Sequence, residues 1–296
     1  MRTFRRFACF DWSGQAVARP AGIQLAMTRA GADAPALVAS GHGSGRWSRA
    51  EALGWLHERA AEKADMLIGF DFSTALPFAD AGAYFPGRKD NPGDAKALWA
   101  MVDRHCLDEP QLAANAIPAH PELSAHFRQR EAGATLTGDR FEGGLGRLRI
   151  TERACREQGK GNAASCFNLI GASQVGKASL TGMRVLHRLA GAIPVWPFDP
   201  VPERGPMLVE IYTGIAARAA GLTGPTKVRN GQALDRALSS LGSAPHTPLP
   251  RYDDHATDAM LGAAWLRQAA DEAALWSPVG MTAELRRTEG WTFGVA

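Results

Sequence analysis

The spacing of apolar and polar residues in the first part of the chain predicts three strands followed by a helix. Residues 7–12, 22–28 and 35–40 are short apolar runs separated by turn residues. This spacing is typical of a three-stranded antiparallel meander. Ser48 precedes the next apolar series and Glu51 follows three positions later, which is the pattern of a capping box. We therefore expect a helix to begin directly after Ser48.

The next apolar run, residues 66–72, contains Asp71 as its one charged residue. A run that is apolar on both faces is typical of a strand buried in the middle of a sheet. Because a right-handed crossover returns such a strand beside the first one, we expect residues 66–72 to lie parallel to residues 7–12. The same patterns predict a fifth strand at 207–212, helices at 215–220, 232–241 and 254–274, and a final strand at 291–295.

This order of elements favours an α/β fold in which three antiparallel strands are followed by parallel strands, with helices on both sides. We expect one domain spanning residues 1–296. Residues 80–161 interrupt the alternation, because this stretch is rich in glycine, proline and arginine. We predict that it forms an insertion on the sheet, partly helical and partly loop. Segments carried on a rigid scaffold in this way often determine specificity.

Composition narrows the class of protein. Hydrophobic residues make up 45% of the chain and charged residues 21%, which is typical of a globular protein with a core. The net charge of +3 permits an anionic substrate without requiring one. No apolar stretch is long enough to span a membrane, and the four cysteines form no CxxC pair. We therefore expect a cytoplasmic protein with reduced thiols and no membrane partner.

Acidic residues stand at the ends of three predicted strands: Asp11, Asp71 and Glu210. A charge in an apolar strand is costly to bury unless it is paired or binds a cation. The carboxyl ends of parallel strands form the ligand crevice of open α/β sheets, so we expect Asp11 and Asp71 to lie side by side. Two like charges at that distance require a counter-cation to stay ionised. Mg²⁺ or Mn²⁺ is the expected ion, since both prefer carboxylate oxygen.

The last long helix adds further carboxylates at its start. Asp254 and Asp258 are four residues apart and share one face. Asp253 and Asp254 also suit a helix N-terminus, where negative charge is favourable, but Asp258 lies beyond the first turn. We interpret the neighbouring His255 as projecting to a different side of the helix from Asp258 and assign it no role. The predicted metal ligands are Asp11, Asp71, Glu210 and Asp258, and the predicted catalytic set adds Asp254.

Residues 171–178 nearly match the phosphate-binding pattern G-x-x-x-x-G-K-[ST]. Ala178 stands where a hydroxyl group would reach Mg²⁺, so we interpret the segment as a glycine-rich helix start beside the carboxylates. Its backbone N–H groups and Lys177 are suited to contact a phosphate.

Glu210 could instead form only an ion pair, with Arg184 or Lys177 as its partner. The predicted substrate-binding residues are Ser13, Arg147, Arg149 and Lys177, and Arg88 and Lys89 are expected to help steer a phosphodiester.

Five motifs in order along the chain carry a resemblance to a known family. They are Asp11-Trp12-Ser13-Gly14, Gly69-Phe70-Asp71, residues 174–182 (QVGKASLTG), Val209-Glu210-Ile211-Tyr212 and residues 253–259 (DDHATDA). The chain resembles an uncharacterised family of predicted nucleases with a ribonuclease H-like fold. The resemblance implies a mixed five-stranded sheet with flanking helices and, by analogy of fold, metal-dependent phosphodiester hydrolysis.

The leading hypothesis is therefore a two-metal hydrolase that acts on a nucleic acid or a small phosphate ester. It distributes the carboxylates over the ions: Asp11 bridges both, Asp71 and Glu210 complete one site, and Asp254 or Asp258 completes the other. One alternative is an ATP-dependent phosphotransferase of the sugar-kinase and actin kind, with residues 11–14 near the phosphates. Another is a non-catalytic binding module of the same fold. Tight ATP binding would favour the first alternative, and metal-dependent nuclease activity would exclude both.

Overall fold

The structure is a computed structural model that describes residues 2–131, 133–171, 174–223 and 227–296. Its strands are β1 (Arg6–Asp11), β2 (Gln24–Arg29), β3 (Ala36–Val38), β4 (Met66–Phe70), β5 (Arg128–Glu131), β6 (Ala134–Thr137), β7 (Val195–Trp196) and β8 (Met207–Glu210). Its α-helices are α1 (Arg49–Ala61), α2 (Ala95–His105), α3 (Ala116–Ala119), α4 (Ile150–Glu157), α5 (Val175–Arg188), α6 (Thr213–Ala219), α7 (Gly231–Ser240), α8 (Asp254–Ala269), α9 (Ala273–Trp276) and α10 (Ala283–Thr288). Short 3₁₀ turns lie at Pro110–Leu112 and Ser124–His126.

The main sheet has six strands in the order β3-β2-β1-β4-β8-β7. Strands β1, β2 and β3 pair antiparallel, whereas β1, β4, β8 and β7 pair parallel. The α/β class and the change from antiparallel to parallel pairing confirm the prediction from sequence. The predicted number of five strands was wrong, because β7 adds a sixth at the edge. Strand β7 is two residues long, which is too short for a visible alternation of apolar and polar positions.

The predicted final strand at residues 291–295 is also wrong. Among the described residues, this segment makes one backbone hydrogen bond to β8, in which the Phe293 N–H group donates to the Glu210 carbonyl oxygen at 2.8 Å. The chain then turns at Gly294, whose φ of 104° lies in the left-handed region. An aromatic, β-branched sequence thus lies beside a strand without continuing the ladder.

Local sequence signals fix several helix starts. The Ser48 side chain accepts a bond from the Glu51 N–H group, and the Glu51 carboxylate accepts one from the Ser48 N–H group, so the predicted capping box is present. The Asp253 carboxylate caps α8 by accepting from the Ala256 N–H group at 3.0 Å. This bond fixes where α8 begins.

Side chains alternate across the sheet and fill two cores. Phe10 and Phe70 belong to the core shared with α1, α2 and α5. Cys9, Val209 and Ile211 belong to the core shared with α6 and α8. Because successive residues of a strand point to opposite faces, odd-numbered positions at the ends of β1, β4 and β8 face α8, and even-numbered ones face α5.

Two glycines allow α8 to lie unusually close to the sheet. A Cβ atom on Gly262 would stand 2.4 Å from Cys9 Sγ, and one on Gly69 would stand 2.7 Å from Leu266 Cδ1. Cys9 and Gly69 are level on neighbouring strands. The absence of side chains at these two glycines therefore sets the distance between α8 and the ends of β1 and β4.

We expect Gly262→Ala to lower the free energy of unfolding by about 1–3 kcal/mol, since the added methyl group overpacks a buried contact. Chemical denaturation measures the change. Gly54→Ala is the matched control, because Gly54 is helical and a Cβ there meets nothing within 4 Å. That change should stabilise the protein by roughly 0.5–1 kcal/mol. Equal gains at both positions would contradict the close packing of α8.

The predicted insertion at 80–161 contains α2, α3, α4 and the hairpin of β5 and β6. The prediction of mixed helix and loop left out this hairpin. Helix α2 packs against α5, so this part of the segment lies on the face of the sheet opposite α8, whereas Cys155 of α4 belongs to the core shared with α8. In the described part of the chain, no helix is both long and apolar enough to cross a bilayer.

Candidate functional site

Asp11 and Asp71 stand next to each other at the carboxyl ends of two parallel strands. Asp11 is the last residue of β1, and Asp71 directly follows β4. The Asp71 N–H group donates to the Phe10 carbonyl oxygen at 3.0 Å, which extends the parallel pairing by one residue. Neighbouring strands are about 4.8 Å apart. Because both residues have odd-numbered positions in the alternation described above, both side chains face α8.

Helix α8 brings two more ionisable groups to these aspartates. His255 Nδ1 and Asp11 Oδ2 form a hydrogen bond of 2.5 Å. Asp258, one helical turn further, accepts from Lys227 Nζ at 3.1 Å. Asp71 itself accepts from Thr213 Oγ1 at 2.7 Å, where α6 begins. Each of the three carboxylates thus bonds to a residue from a different part of the chain.

The pKa values show that the carboxylates share one poorly solvated region. Burial raises the pKa of Asp11 to about 6, although its bond to His255 opposes the change. Burial and then the charge of Asp11 raise the pKa of Asp71 to about 7. Burial also raises the pKa of Asp258, against the effect of Lys227. The bond to Asp11 raises the pKa of His255. Negative charge is therefore costly here unless a cation is present.

Asp71→Asn should stabilise the metal-free protein, and more so as the pH rises. The folded state raises the pKa of Asp71 from 3.8 to about 7, so the folded protein retains a proton that the unfolded chain releases. Its contribution to stability is complete below the unfolded pKa and is lost as the pH rises through the folded one. We expect a gain on the order of 2 kcal/mol at about pH 8 and almost none at about pH 4. Urea denaturation in EDTA at both pH values tests this, and a gain that is independent of pH would contradict it.

Glu210, a predicted ligand, faces the other side of the sheet from Asp11 and Asp71. In the register of β4 and β8, Glu210 is level with Phe70, and Ile211 is level with Asp71. The alternation therefore turns Glu210 toward α5. There its carboxylate pairs with Arg149 at 2.5 Å and accepts from Thr292 Oγ1 at 2.6 Å. Burial raises the pKa of Glu210 and Arg149 lowers it, with a net decrease. The ion-pair alternative for Glu210 is correct in kind, although its partner is neither Arg184 nor Lys177.

The two arginines predicted to bind substrate are buried and bonded to protein groups. The Arg149 side chain is 1% exposed and contacts Glu210 and Glu152. The Arg147 side chain is also 1% exposed and pairs with Asp80 at 2.5 Å, with further bonds to three carbonyl oxygens. The Arg149 guanidinium group therefore connects the segment at 80–161 to Glu210 of β8, whereas the Arg147 guanidinium group bonds mainly within that segment. Arg88 is 12% exposed beside Glu122.

Asp254 lies in the first turn of α8, where its carboxylate contacts Arg229 and Lys227. These cations are 58% and 44% exposed, so the pairs are at the surface. The position agrees with the helix N-terminal role considered from sequence. Asp258 differs because its side chain is only 19% exposed and its charge acts on Asp11 and Asp71.

A cleft of about 670 Å³ opens at the carboxyl ends of the strands. The cleft is lined by His255 and by five of the predicted site residues: Ser13, Asp71, Arg149, Lys177 and Glu210. The loop after β1 packs directly on the start of α5, because a Cβ atom on Gly14 would stand 2.2 Å from the Lys177 carbonyl carbon. In the glycine-rich motif at 171–178, residues 172 and 173 lie outside the described residues. Helix α5 begins at Val175, which agrees with a helix start beside the carboxylates.

Of the four predicted metal ligands, Asp11 and Asp71 are the two that end neighbouring strands and could share a divalent ion. Among the described residues, no three His, Cys, Asp or Glu side chains are gathered so that they could hold a metal ion. The charge of Asp11 nevertheless raises the pKa of Asp71, so the two carboxylates repel each other. Mg²⁺ is usually held by one or two carboxylates, waters and substrate phosphate. These two residues suit that manner of binding.

His255 is the site residue that the sequence interpretation missed. His255 and Asp258 are three residues apart, and such residues are neighbours on a helix surface, so the assignment of different sides was wrong. Both act electrostatically on Asp11. Gly22 also marks the site, since a Cβ there would stand 3.0 Å from His255 Cε1 and 3.1 Å from Ser13 Cβ. The sequence did contain a signal for His255. With Asp253 as the N-cap of the helix, the three-residue spacing places His255 and Asp258 on the same side.

We find no match to this chain among protein family models, curated proteins or solved structures. The chemistry of the site therefore has to be argued from its geometry. That geometry is a pair of level aspartates with raised pKa values, a histidine bonded to one of them, and a nearby lysine at a helix start.

Proposed function

We propose that the protein is a phosphodiester hydrolase that depends on Mg²⁺ or Mn²⁺. The observation that carries the proposal is the pair Asp11 and Asp71, level on neighbouring parallel strands and facing α8. Each raises the cost of ionising the other, which a divalent cation would remove. The carboxyl ends of parallel strands are also where open α/β sheets bind ligands.

The architecture supports a ribonuclease H-like identity as part of the proposal. Three antiparallel strands precede the parallel ones, and helices cover both faces. The resemblance implied this arrangement with five strands, and β7 would be an addition at the edge. By this analogy the substrate is a phosphodiester, and fold analogy alone does not establish chemistry. The carboxylate pair supplies the independent argument.

The residues take distinct roles in this proposal. Asp11 and Asp71 hold the cation, and Asp258 adds negative charge beside them. His255 orients the Asp11 carboxylate through its 2.5 Å bond. Lys177 and the N–H groups at the start of α5 contact the substrate phosphate. A bound divalent ion would supply charge stabilisation and an activated water. Glu210 and Arg149 line the cleft but pair with each other, and Arg147 pairs with Asp80, so the proposal gives these three residues no part in the chemistry.

Metal binding should be visible as thermal stabilisation. A ligand that binds only the folded state adds about 2.7 kcal/mol when it is at about 100 times its Kd, so Mn²⁺ should raise the melting temperature by roughly 5 °C. Asp11→Asn should abolish the rise. Asp65→Asn is the control, since Asp65 directly precedes β4 at the opposite end of the strand and pairs with Arg2 at 2.8 Å. An equal rise in wild type and Asp11→Asn would contradict a site at Asp11.

The function itself is tested by assaying hydrolysis without ATP. Wild-type protein is incubated with Mn²⁺ or Mg²⁺ and either bis-p-nitrophenyl phosphate or single- and double-stranded nucleic acids, with EDTA as the blank. We expect metal-dependent cleavage of at least one phosphodiester. Calorimetric titration with ATP and Mg²⁺ is run in parallel. Tight ATP binding without cleavage of any phosphodiester would overturn the proposal in favour of a phosphotransferase.

A further inference from the structure

A second groove lies beside the cleft and is lined by cations. Its walls are Arg128 and Arg130 of β5, residues 168–171, Gln174 and Lys177, and its volume is about 740 Å³. Gln174 and Lys177 also line the cleft. The groove, called the basic groove below, therefore meets the cleft at the start of α5.

Backbone hydrogen bonds hold the walls of the basic groove together. The Arg128 N–H group donates to the Phe167 carbonyl oxygen at 3.0 Å, and the Leu169 N–H group donates to the Arg128 carbonyl oxygen at 2.9 Å. The Gly176 N–H group donates to the Asn168 carbonyl oxygen at 3.2 Å. Strand β5, residues 167–169 and the first turn of α5 thus form one connected frame.

The charges in the basic groove are uncompensated. Arg128 and Arg130 are two positions apart on β5, so their side chains lie on the same face. Within the part of the chain that the structure describes, neither of them nor Lys177 forms an ion pair, and no acidic residue lines the groove. Arg147 and Arg149 in the same segment are by contrast fully paired. The cations of the groove are therefore available to an external anion.

We propose that the basic groove binds the phosphate backbone of a single nucleic-acid strand and leads it past Lys177 to Asp11 and Asp71. This inference rests on the proposed function and names its substrate class. A small phosphate ester would need only the cleft, whereas cations continuing away from it suit a polyanion. The groove offers a single row of cations, which suits the phosphate backbone of a single strand. None of the described residues that line the groove is aromatic and able to stack on bases, so recognition is through phosphates and tolerates most sequences.

The test measures binding without catalysis. Fluorescence anisotropy of a labelled oligothymidylate is recorded in EDTA at several salt concentrations. Wild-type affinity should fall with salt, and the double change Arg128→Gln/Arg130→Gln should weaken binding on the order of tenfold at low salt. On single strands each phosphate contact contributes about 0.7 to the slope of log K against log salt concentration, so the slope should fall by about 1.4.

The matched control is Arg6→Gln/Arg29→Gln. These residues are exposed and face each other at the opposite end of β1 and β2, so the same charge is removed far from the basic groove. The control should leave the slope unchanged. Equal weakening by both double variants would overturn the inference, and so would an absence of binding by wild type.

Two further measurements keep the interpretation clear. The side chains of Arg128 and Arg130 have no partner among the described residues, so the variant should melt at the wild-type temperature. If the double variant unfolds, the exposed Arg130→Gln alone should lower the slope by about 0.7. Cleavage of bis-p-nitrophenyl phosphate with Mn²⁺ reports the proposed function separately. If the protein cleaves this ester but binds no oligonucleotide, the proposal for the basic groove is wrong and the proposed hydrolase activity is supported.

Discussion

Arg149→Met should lower the free energy of unfolding by about 3–5 kcal/mol, the cost of breaking a buried ion pair from one side. Arg149 donates to the carboxylates of Glu210 and Glu152 and to the Glu289 carbonyl oxygen at 3.0 Å. Methionine has a similar length but leaves the two carboxylates buried without a cation. Urea denaturation of wild type and variant measures the loss.

The control variant neutralises the carboxylates that Arg149→Met leaves unpaired, without restoring the lost contacts. Adding Glu210→Gln and Glu152→Gln to Arg149→Met removes the unpaired charges, so the triple variant should be more stable than Arg149→Met alone. Replacing a whole buried ionic group often costs little, whereas removing one member costs much. Independent, additive losses at the three positions would show that the network is not coupled.

Asp11→Asn should lower metal-dependent phosphodiester cleavage by about 10²–10³-fold, corresponding to several kcal/mol of charge stabilisation in the transition state. The change is nearly isosteric and retains an oxygen for the His255 bond, so the fold should persist. Initial rates at saturating Mn²⁺ with bis-p-nitrophenyl phosphate measure the effect. Asp65→Asn should cleave at the wild-type rate. If Asp11→Asn keeps more than about half the activity, the cation is held elsewhere.

The sequence predicted the architecture well where local signals were strong. The capping box at Ser48 and Glu51 and the apolar runs before Asp11 and Asp71 led to correct helices, strands and strand pairing. Strand β7 was missed because an edge strand of two residues has no periodicity. Residues 291–295 have a sequence suited to a strand, but a left-handed glycine ends the pairing.

The candidate site was only partly predictable from sequence. A carboxylate at a strand end belongs to the site only if its side chain faces α8, and this depends on whether its position in the strand is odd or even in the alternation. Asp71 directly follows its strand, whereas Glu210 is the last residue within its own. This offset of one residue sends the two carboxylates to opposite faces. Register between strands is set by contacts distant in sequence, so no local pattern shows it. His255, in contrast, was accessible from helical spacing alone.

The partners of Arg149 and Arg147 were equally hidden from sequence. Arg149 reaches Glu210 across 61 positions, and Arg147 reaches Asp80 across 67. Each arginine lies in a segment whose composition indicates solvent and ligand contact. Only the structure shows that hydrogen-bond acceptors of the protein surround both guanidinium groups. An arginine in a basic segment therefore indicates a ligand contact only after its burial is known.

The mutual repulsion of Asp11 and Asp71 has a consequence for how this protein would change under artificial selection. Both side chains destabilise the metal-free fold at neutral pH, because burial raises the pKa of each. Proteins tolerate such residues when function requires them. A library screened for heat resistance alone, in a medium without divalent cations, should therefore enrich asparagine at these two positions early. Screening the same library for survival with Mn²⁺ present should retain the aspartates.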